Sequence, residues 1–494
     1  MNPYLVRAVT ALVLIGSLAR VAGAQLVTPK TLPVFQNQQF DILPSATAGM
    51  AGISIALDDS LADPFVNPAK ATRLRGGTFF TTPFRHSVSD NRGGGRTLPV
   101  GGIGSFGDWS IAGIFALQQL DRAGQMSFTP AISDRTATNQ YLTLSAARRI
   151  GHGISVGASG TFAELNAVDG VDLLYQGSDR INQAGSSSDV RLGLTKEFAP
   201  HQTLEVVLLH NLYQMTHDVH YTTSRWDPAL RQSFTTQRTD HNVDRTSIWG
   251  AHAEYTQPIG TEGWRIGWLG TVNQLSHPKI PEYVLESVRP IPRDPGSTLA
   301  FNAGIGLSKV WSGSTFGIDL IREPMTSNTW ADAARDTAVV GGGTIKAGGK
   351  TIENSFRFNN TILRVGFGHD VAVGHDSSSV FGFQLGLGVY AINYKLAQTN
   401  NVQKTSREQR ESWMEWSPTL GLAYRTHAMQ LRYNYSVTCA VSECFSFGDK
   451  VNVVGPSSSG ANTTGGVIVA PSSALTFNGG TASSHKFWIS IPIK

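Results

Sequence analysis

The sequence predicts an all-β chain, folded as an outer-membrane antiparallel β-barrel of about 14–16 strands. Three observations carry this. Apolar residues alternate with polar or small ones at period two through most of the chain, the strand period. The runs are long, close to the 9–11 residues that cross a bilayer at a tilt. The connections between them alternate between short turns and long polar stretches, the layout of a membrane barrel and not of a soluble sandwich.

The N-terminus reads as an export signal. Met1 to Arg7 carries positive charge, Ala8 to Ala19 is apolar, and Ala22-Gly23-Ala24 fits the small-x-small cleavage rule. Residues 1–24 are therefore expected to be removed, with a mature start near Gln25. Beyond them no run approaches the length of a transmembrane helix, which excludes a helical transporter and leaves a barrel open. Charged residues are only 15% of the chain and the net charge is +4, with no basic block interleaved with aromatics, so nucleic acid is not an expected partner.

Residues 25–75 precede the first strand and are moderately apolar. Such a segment either hangs in the periplasm or fills the lumen. Within it stands Asn67-Pro68-Ala69. Pro68 fixes its own φ and biases Asn67 away from helix, and Asn67 has a side chain suited to bonding its own backbone in a turn.

The barrel is expected over residues 76–494. Phe381, Phe383, Leu385, Leu387 and Val389 share one face, against Gly382, Gln384, Gly386, Gly388 and Tyr390 on the other. Phe316, Ile318 and Leu320 oppose Gly317 and Asp319 in the same way, and Phe487, Ile489, Ile491 and Ile493 close the chain against Lys486 and Ser490. About 16 strands result, from near Gly76 to near Ile493, with 14 also tenable. "GGTFFTT" and "DVRLGL" carry the weakest strand signals. Where Phe356 and Phe358 give way to Leu363, Val365 and Phe367, the alternation slips phase, which predicts a bulge. Trp109, Tyr141, Trp249, Trp264, Trp416, Tyr424 and Trp488 lie near strand ends, where interfacial aromatic belts form. Long polar loops are expected near 83–97, 121–139, 166–187, 214–245, 276–297, 325–351, 396–411 and 438–483. Cys439 and Cys444 sit at the base of the last one, in an oxidising compartment, as a candidate disulfide.

No catalytic or metal site emerges. Gly153-Ile154-Ser155-Val156-Gly157 has the G-x-S-x-G spacing, but it lies inside an alternating strand with no helix after it. "GGGTIKAGGKT" at 341–351 imitates a phosphate loop, with Thr344 where the first glycine belongs. His217, Asp218 and His220 read as part of a polar external loop, and His369-Asp370 and His375-Asp376 as a turn. No cofactor is expected, and the chain is not expected to be an enzyme.

The run "ATAGMAGISIALDDSLADPFVNPAKATRL" resembles the N-terminal hatch of the FadL/TodX family of outer-membrane transporters for hydrophobic compounds. Gly49, Gly52, Ala56, Asp58, Asp59, Ala62, Phe65, Asn67, Pro68 and Ala69 follow the family's order; Lys70 departs from the glycine often found there, and the chain ends in Ile493-Lys494 without a terminal aromatic. The resemblance implies a luminal plug held in the barrel, a gating role for Asn67, Pro68 and Ala69, and uptake of hydrophobic small molecules, long-chain fatty-acid-like or aromatic. It also implies the outer membrane of a Gram-negative-type bacterium, with the lipid bilayer, the ligand and the outer-membrane assembly machinery as partners. The same hatch pattern occurs in PorV-like barrels that serve protein secretion, and a general porin is a third reading.

Overall fold

The computed structural model describes residues 39–88, 93–121, 136–168, 179–276, 284–285, 296–333, 335–373, 379–440, 452–453, 468–469, 477–478 and 481–493. One sheet of 17 strand segments closes on itself. In chain order these are β1 (Gly77–Thr81), β2 (Phe84–Val88), β3 (Gly94–Phe106), β4 (Trp109–Asp121), β5 (Thr136–Gly151), β6 (Ile154–Leu165), β7 (Arg180–Ala199), β8 (Gln202–Asp227), β9 (Gln232–Ile259), β10 (Trp264–Ser276), β11 (Gly296–Trp311), β12 (Ser314–Asp332), β13 (Lys350–Val373), β14 (Ser379–Asn400), β15 (Thr405–Arg425), β16 (Gln430–Ala440) and β17 (Thr481–Ile493).

Every neighbouring pair is antiparallel. β1 and β2 both lie between β3 and β17 in one continuous register, so they are two halves of one strand and the barrel has 16. The break falls at Thr82-Pro83, where proline has no N–H to give the ladder. The even count brings both strand ends to the rim that carries the short turns, among them Gly107-Asp108, His152-Gly153 and Ser312-Gly313. His152 and Ser312 adopt positive φ there (52° and 30°) and are each followed by a glycine that does the same.

The outer wall is apolar and uncovered. Leu192 is 55% exposed, Leu385 52% and Ile491 53%, with Phe115, Leu144, Phe162 and Ile305 beside them. A water-soluble surface does not carry so continuous an apolar band, whereas a lipid-facing wall requires one. The faces expected for the Phe381–Tyr390 stretch and for the C-terminal strand are the ones observed, and both weakly signalled strands form, as β1 and β7.

Several expectations are corrected. The phase slip in β13 is not a bulge. Phe358 pairs with Tyr394 and Thr361 with Ala391, so no residue is inserted; the ladder is only interrupted between them, where Asn360 Oδ1 accepts the Asn393 N–H at 3.2 Å. Phe356 and Phe358 face inward and are 1% and 3% exposed, so the strand keeps its geometry while the apolar side changes. The stretches 83–97, 214–245 and 396–411 are mostly paired strand; beyond the bilayer neither face meets lipid, and the apolar alternation that marks a strand disappears. His217, Asp218 and His220 accordingly lie in β8, with His217 buried, and His369-Asp370 in β13. Tyr141 and Trp488 point into the lumen, each 3% exposed, while Trp109, Trp249 and Tyr424 are exposed outside. His375-Asp376 and Cys444 lie outside the described residues; Cys439 is buried at the end of β16.

Where β2 meets β17 and β1 meets β3, the closing seam is packed from inside. Phe80 stacks on Trp488 with ring centroids 4.5 Å apart, and Phe65, which precedes the barrel in sequence, meets Phe80 edge-on at 6.4 Å.

Candidate functional site

The segment from Gln39 to Gly76 lies inside the barrel. Its contacts are with inward-facing residues around most of the wall. Thr419 on β15 bonds Gly49 and Ala51, Asp319 on β12 accepts from Ser54 at 2.9 Å, and Ser308 on β11 donates to Ala56 O at 2.6 Å. Gln384 on β14 and Arg432 on β16 both donate to Ala46 O, and Lys486 on β17 to Asp41 and Leu43.

The segment is shaped by its own side chains first. Asp59 closes a loop over residues 45–62: its carboxylate accepts from Ser45 Oγ (2.6 Å), Ala46 N (2.8 Å), Thr47 Oγ1 (3.1 Å), Leu61 N (3.1 Å) and Ala62 N (3.1 Å). Inside that loop the small residues make a 3₁₀ turn, Ala48–Met50, that ends on Ala51 in the left-handed region (φ 58°). Helix α1 (Asp63–Val66) then leads to Asn67, which is extended at φ −119°, ψ 100°, as a residue before proline should be. Asn67 Oδ1 accepts Ala69 N at 3.2 Å and so caps the 3₁₀ turn Pro68–Arg73.

The wall is carved to receive this backbone. A side chain at Gly157 would strike Pro68 and Ala69, and one at Gly193 would strike Asn67 and Pro68. Ser155 accepts from Thr72 Oγ1 at 2.8 Å, and Arg149 donates to Thr72 O at 2.8 Å. The G-x-S-x-G stretch is therefore a seat for the turn and not a nucleophile elbow. The inward glycine row on β14 has the same use, since Gly386 abuts Met50 and Ala51. Ile53 and Ile55 sit against Gly317, Gly267 and Gly306 in like manner. In the sequence these glycines look like ordinary small strand residues; only the segment that fills them explains their spacing.

An ionic cluster ties the turn to the wall. Lys70 Nζ lies 2.9 Å from Asp63, 3.1 Å from Glu205 and 3.8 Å from Asp58, and the lysine is 7% exposed. Arg73 bridges Asp58 and Glu197 at 3.0 Å each, and Arg265 holds Asp58 from the other side at 3.0 Å. Asn67 Nδ2 adds a hydrogen bond to Glu205 Oε2 at 3.2 Å. Burial works against the charge on Lys70, but Asp63 and Glu205 outweigh it and hold its pKa well above that of an ordinary lysine. Burial pushes the Asp63 carboxyl up to about 8, opposed by Lys70 and reinforced by Glu205. Burial also works on Asp58, yet Lys70, Arg73 and Arg265 overcome it and depress its pKa. Lys70, where the hatch pattern often has glycine, is thus the centre of the cluster.

The lumen wall also carries two apolar clusters. One gathers Met325, Phe356, Phe358, Ile392, Tyr394 and Leu396 from β12, β13 and β14, each at most 3% exposed. At its edge Tyr390 donates to Glu323 at 2.9 Å and accepts from Asn360 at 3.1 Å. The other joins Ile42 and Leu43 of the segment to Tyr141, Leu165, Ile181, Met215 and Val219. These inward apolar rows escaped the sequence reading because lipid-facing and lumen-facing rows share one periodicity. Among the described residues, no three histidine, cysteine or acidic side chains come together as metal ligands.

No protein-family model matches the sequence, and no curated protein matches it. Solved structures match in outline. A Pseudomonas aeruginosa FadL homologue aligns over 92% of this chain and 99% of its own at 11% identity, with a TM-score of 0.41. The CymD monoaromatic hydrocarbon channel aligns over 91% and 97% at 12% identity and a TM-score of 0.37. The ferric-catecholate import receptor Fiu from E. coli K12, in its open form, aligns over 85% and 81% at 8% identity, also with a TM-score of 0.37. Likeness at this level is one of gross architecture and carries no argument about what this chain binds.

Proposed function

We propose that the chain is an outer-membrane transporter for hydrophobic small molecules, in which residues 25–75 plug a barrel formed by residues 76–494. The observation that carries this reading is the fit between the luminal segment and the wall: the Asn67-Pro68-Ala69 turn rests on Gly157 and Gly193 and is tied down by Lys70. A leader that merely hung below the barrel would not need glycines cut to its shape. The aromatic cluster around Phe356, Phe358 and Tyr394 is closed, each ring at most 3% exposed, so a hydrocarbon that parts these rings gains about 0.8 kcal/mol per buried methylene only after displacing their own packing. Asn67, Pro68 and Ala69 are the turn whose release opens the path.

The test is uptake into proteoliposomes. A fluorescent long-chain fatty acid and a monoaromatic probe are compared with a sugar of similar size. Faster entry of the hydrophobic probes, with the sugar excluded, is expected; equal entry of all three points to an open porin and overturns the plugged reading. A second reading, a PorV-like partner for protein export, draws on the β8–β9 hairpin, which presents Trp226, Leu230 and Phe234 at 57%, 61% and 45% exposure near its tip.

A further inference from the structure

We propose that the charge cluster beneath the Asn67-Pro68-Ala69 turn is a proton-operated latch: the segment docks with one carboxyl of the cluster protonated, and loss of that proton as pH rises releases it. This rests on the reading of the segment as a plug and adds what lets it go.

Among the described residues, the cluster holds fewer cations than acids. On the segment stand Asp58, Asp63, Lys70 and Arg73, with Asp59 turned into the 45–62 loop. Facing them are Asp189, Arg191 and Glu197 on β7, Glu205 on β8, His252 and Glu254 on β9, Arg265 on β10, Arg149 on β5 and Asp319 on β12. Arg191 is taken by Asp189 at 2.6 Å, Arg149 by the Thr72 carbonyl, and Asp319 by Ser54 N. His252 lies 3.7 Å from Glu254. Asp58 and Glu197 hold Arg73 at 3.0 Å each, which leaves Glu205 only a 3.7 Å contact with it, and Asp58 holds Arg265 as well. Lys70 is left to answer Asp63 at 2.9 Å and Glu205 at 3.1 Å, with Glu254 also acting on it. Lys70 and Glu205 are only 7% and 8% exposed, so water does little to screen a second unbalanced carboxylate.

The sign follows from which state holds the proton. Burial, with Glu205 adding, keeps the docked Asp63 protonated up to about 8, whereas a carboxyl released into water ionises near its ordinary value of 3.8. Docking therefore takes up a proton, is strongest at low pH within that window, and weakens as pH rises toward 8. Lys70 and Glu205 flank Asp63 and fix where it gives up its proton, so the latch belongs to the Asp63–Lys70–Glu205 set.

The test is hydrogen exchange of residues 58–74 in the full chain, corrected for the intrinsic pH dependence of exchange. Protection of the wild-type segment is expected to fall about tenfold per pH unit from about pH 4 to about pH 8, then to level, relative to a wall peptide of β14. Asp63→Asn, permanently uncharged, is expected to stay protected throughout. Glu205→Gln keeps an acceptor for Asn67 but removes one negative neighbour, so its fall is expected at lower pH. A wild-type segment with no fall, an unchanged fall in Asp63→Asn, or an unmoved fall in Glu205→Gln each overturns the latch. Hydrophobic-probe uptake is measured on the same preparations. A stepped protection profile without uptake removes the transport reading and keeps the latch; uptake with flat protection removes the latch alone.

Discussion

Asn67 joins the luminal segment to the wall with one side chain: its Oδ1 accepts Ala69 N at 3.2 Å while its Nδ2 donates to Glu205 Oε2 at 3.2 Å. Asn67→Ala loses the cap, about 1 kcal/mol by analogy with helix caps, and leaves Glu205 one donor short. Trypsin cleavage after Lys70 and Arg73 is expected to speed up several-fold, in line with that energy. Asn67→Asp, which sets a carboxylate against Glu205, is expected to be worse than alanine.

Lys70→Met removes the one ammonium held against both Asp63 and Glu205. Stranding the buried Glu205 carboxylate costs about 3–5 kcal/mol, so the turn is expected to undock, read as lost exchange protection over residues 58–74. The double variant Lys70→Met, Glu205→Gln removes charge from both sides and is expected to recover part of that protection. A double variant as unprotected as the single would show that the ion pair is not what the turn depends on.

Gly157→Leu and Gly193→Leu fill the seats under Pro68 and Asn67. Both are expected to raise ion conductance across a planar bilayer while the barrel still migrates as a folded species on a gel. Gly104→Leu is the control, because a side chain there meets nothing within 4 Å.

Asp58 sets the acid limit. Burial opposes its charge, but Lys70, Arg73 and Arg265 hold its pKa below the ordinary 3.8, so its contribution to docking is present above that value and is lost as pH falls through the depressed one. Exchange protection of the segment is thus expected to drop again in strong acid. In Asp58→Asn this acid limb should vanish while the alkaline fall remains.

Phe356→Ala and Phe358→Ala each open a hole in a packed aromatic cluster in which the rings are 6.0 Å apart. Losses of about 3–5 kcal/mol are expected for a buried Phe, seen as a lower thermal midpoint. Uptake of the aromatic probe should fall more than uptake through Tyr433→Ala, a substitution far from the cluster.

The barrel was legible in the sequence because lipid imposes a simple rule on the outer face. Leu385, Leu387, Ile489 and Ile491 obey it, and so the strands and their orientation could be read. The rule lapses where lipid does. Above the bilayer the paired stretches around His217 and Gln398 looked like loops, and in β13 the inward Phe356 and Phe358 looked like a bulge. The Asn-Pro-Ala turn was recognisable from local chemistry, since Pro68 restricts Asn67. Its partners were not: Ser155, Gly157, Gly193 and Glu205 are up to about 140 residues away and have no local signature beyond being small or polar on an inward face.

Phe65, Phe80 and Trp488 come from the stretch before the barrel, its opening strand and its final one, yet they form a single aromatic cluster. Leader, opening strand and closing strand thus share one packed junction, and removing any of the three rings loosens the hold of the other two.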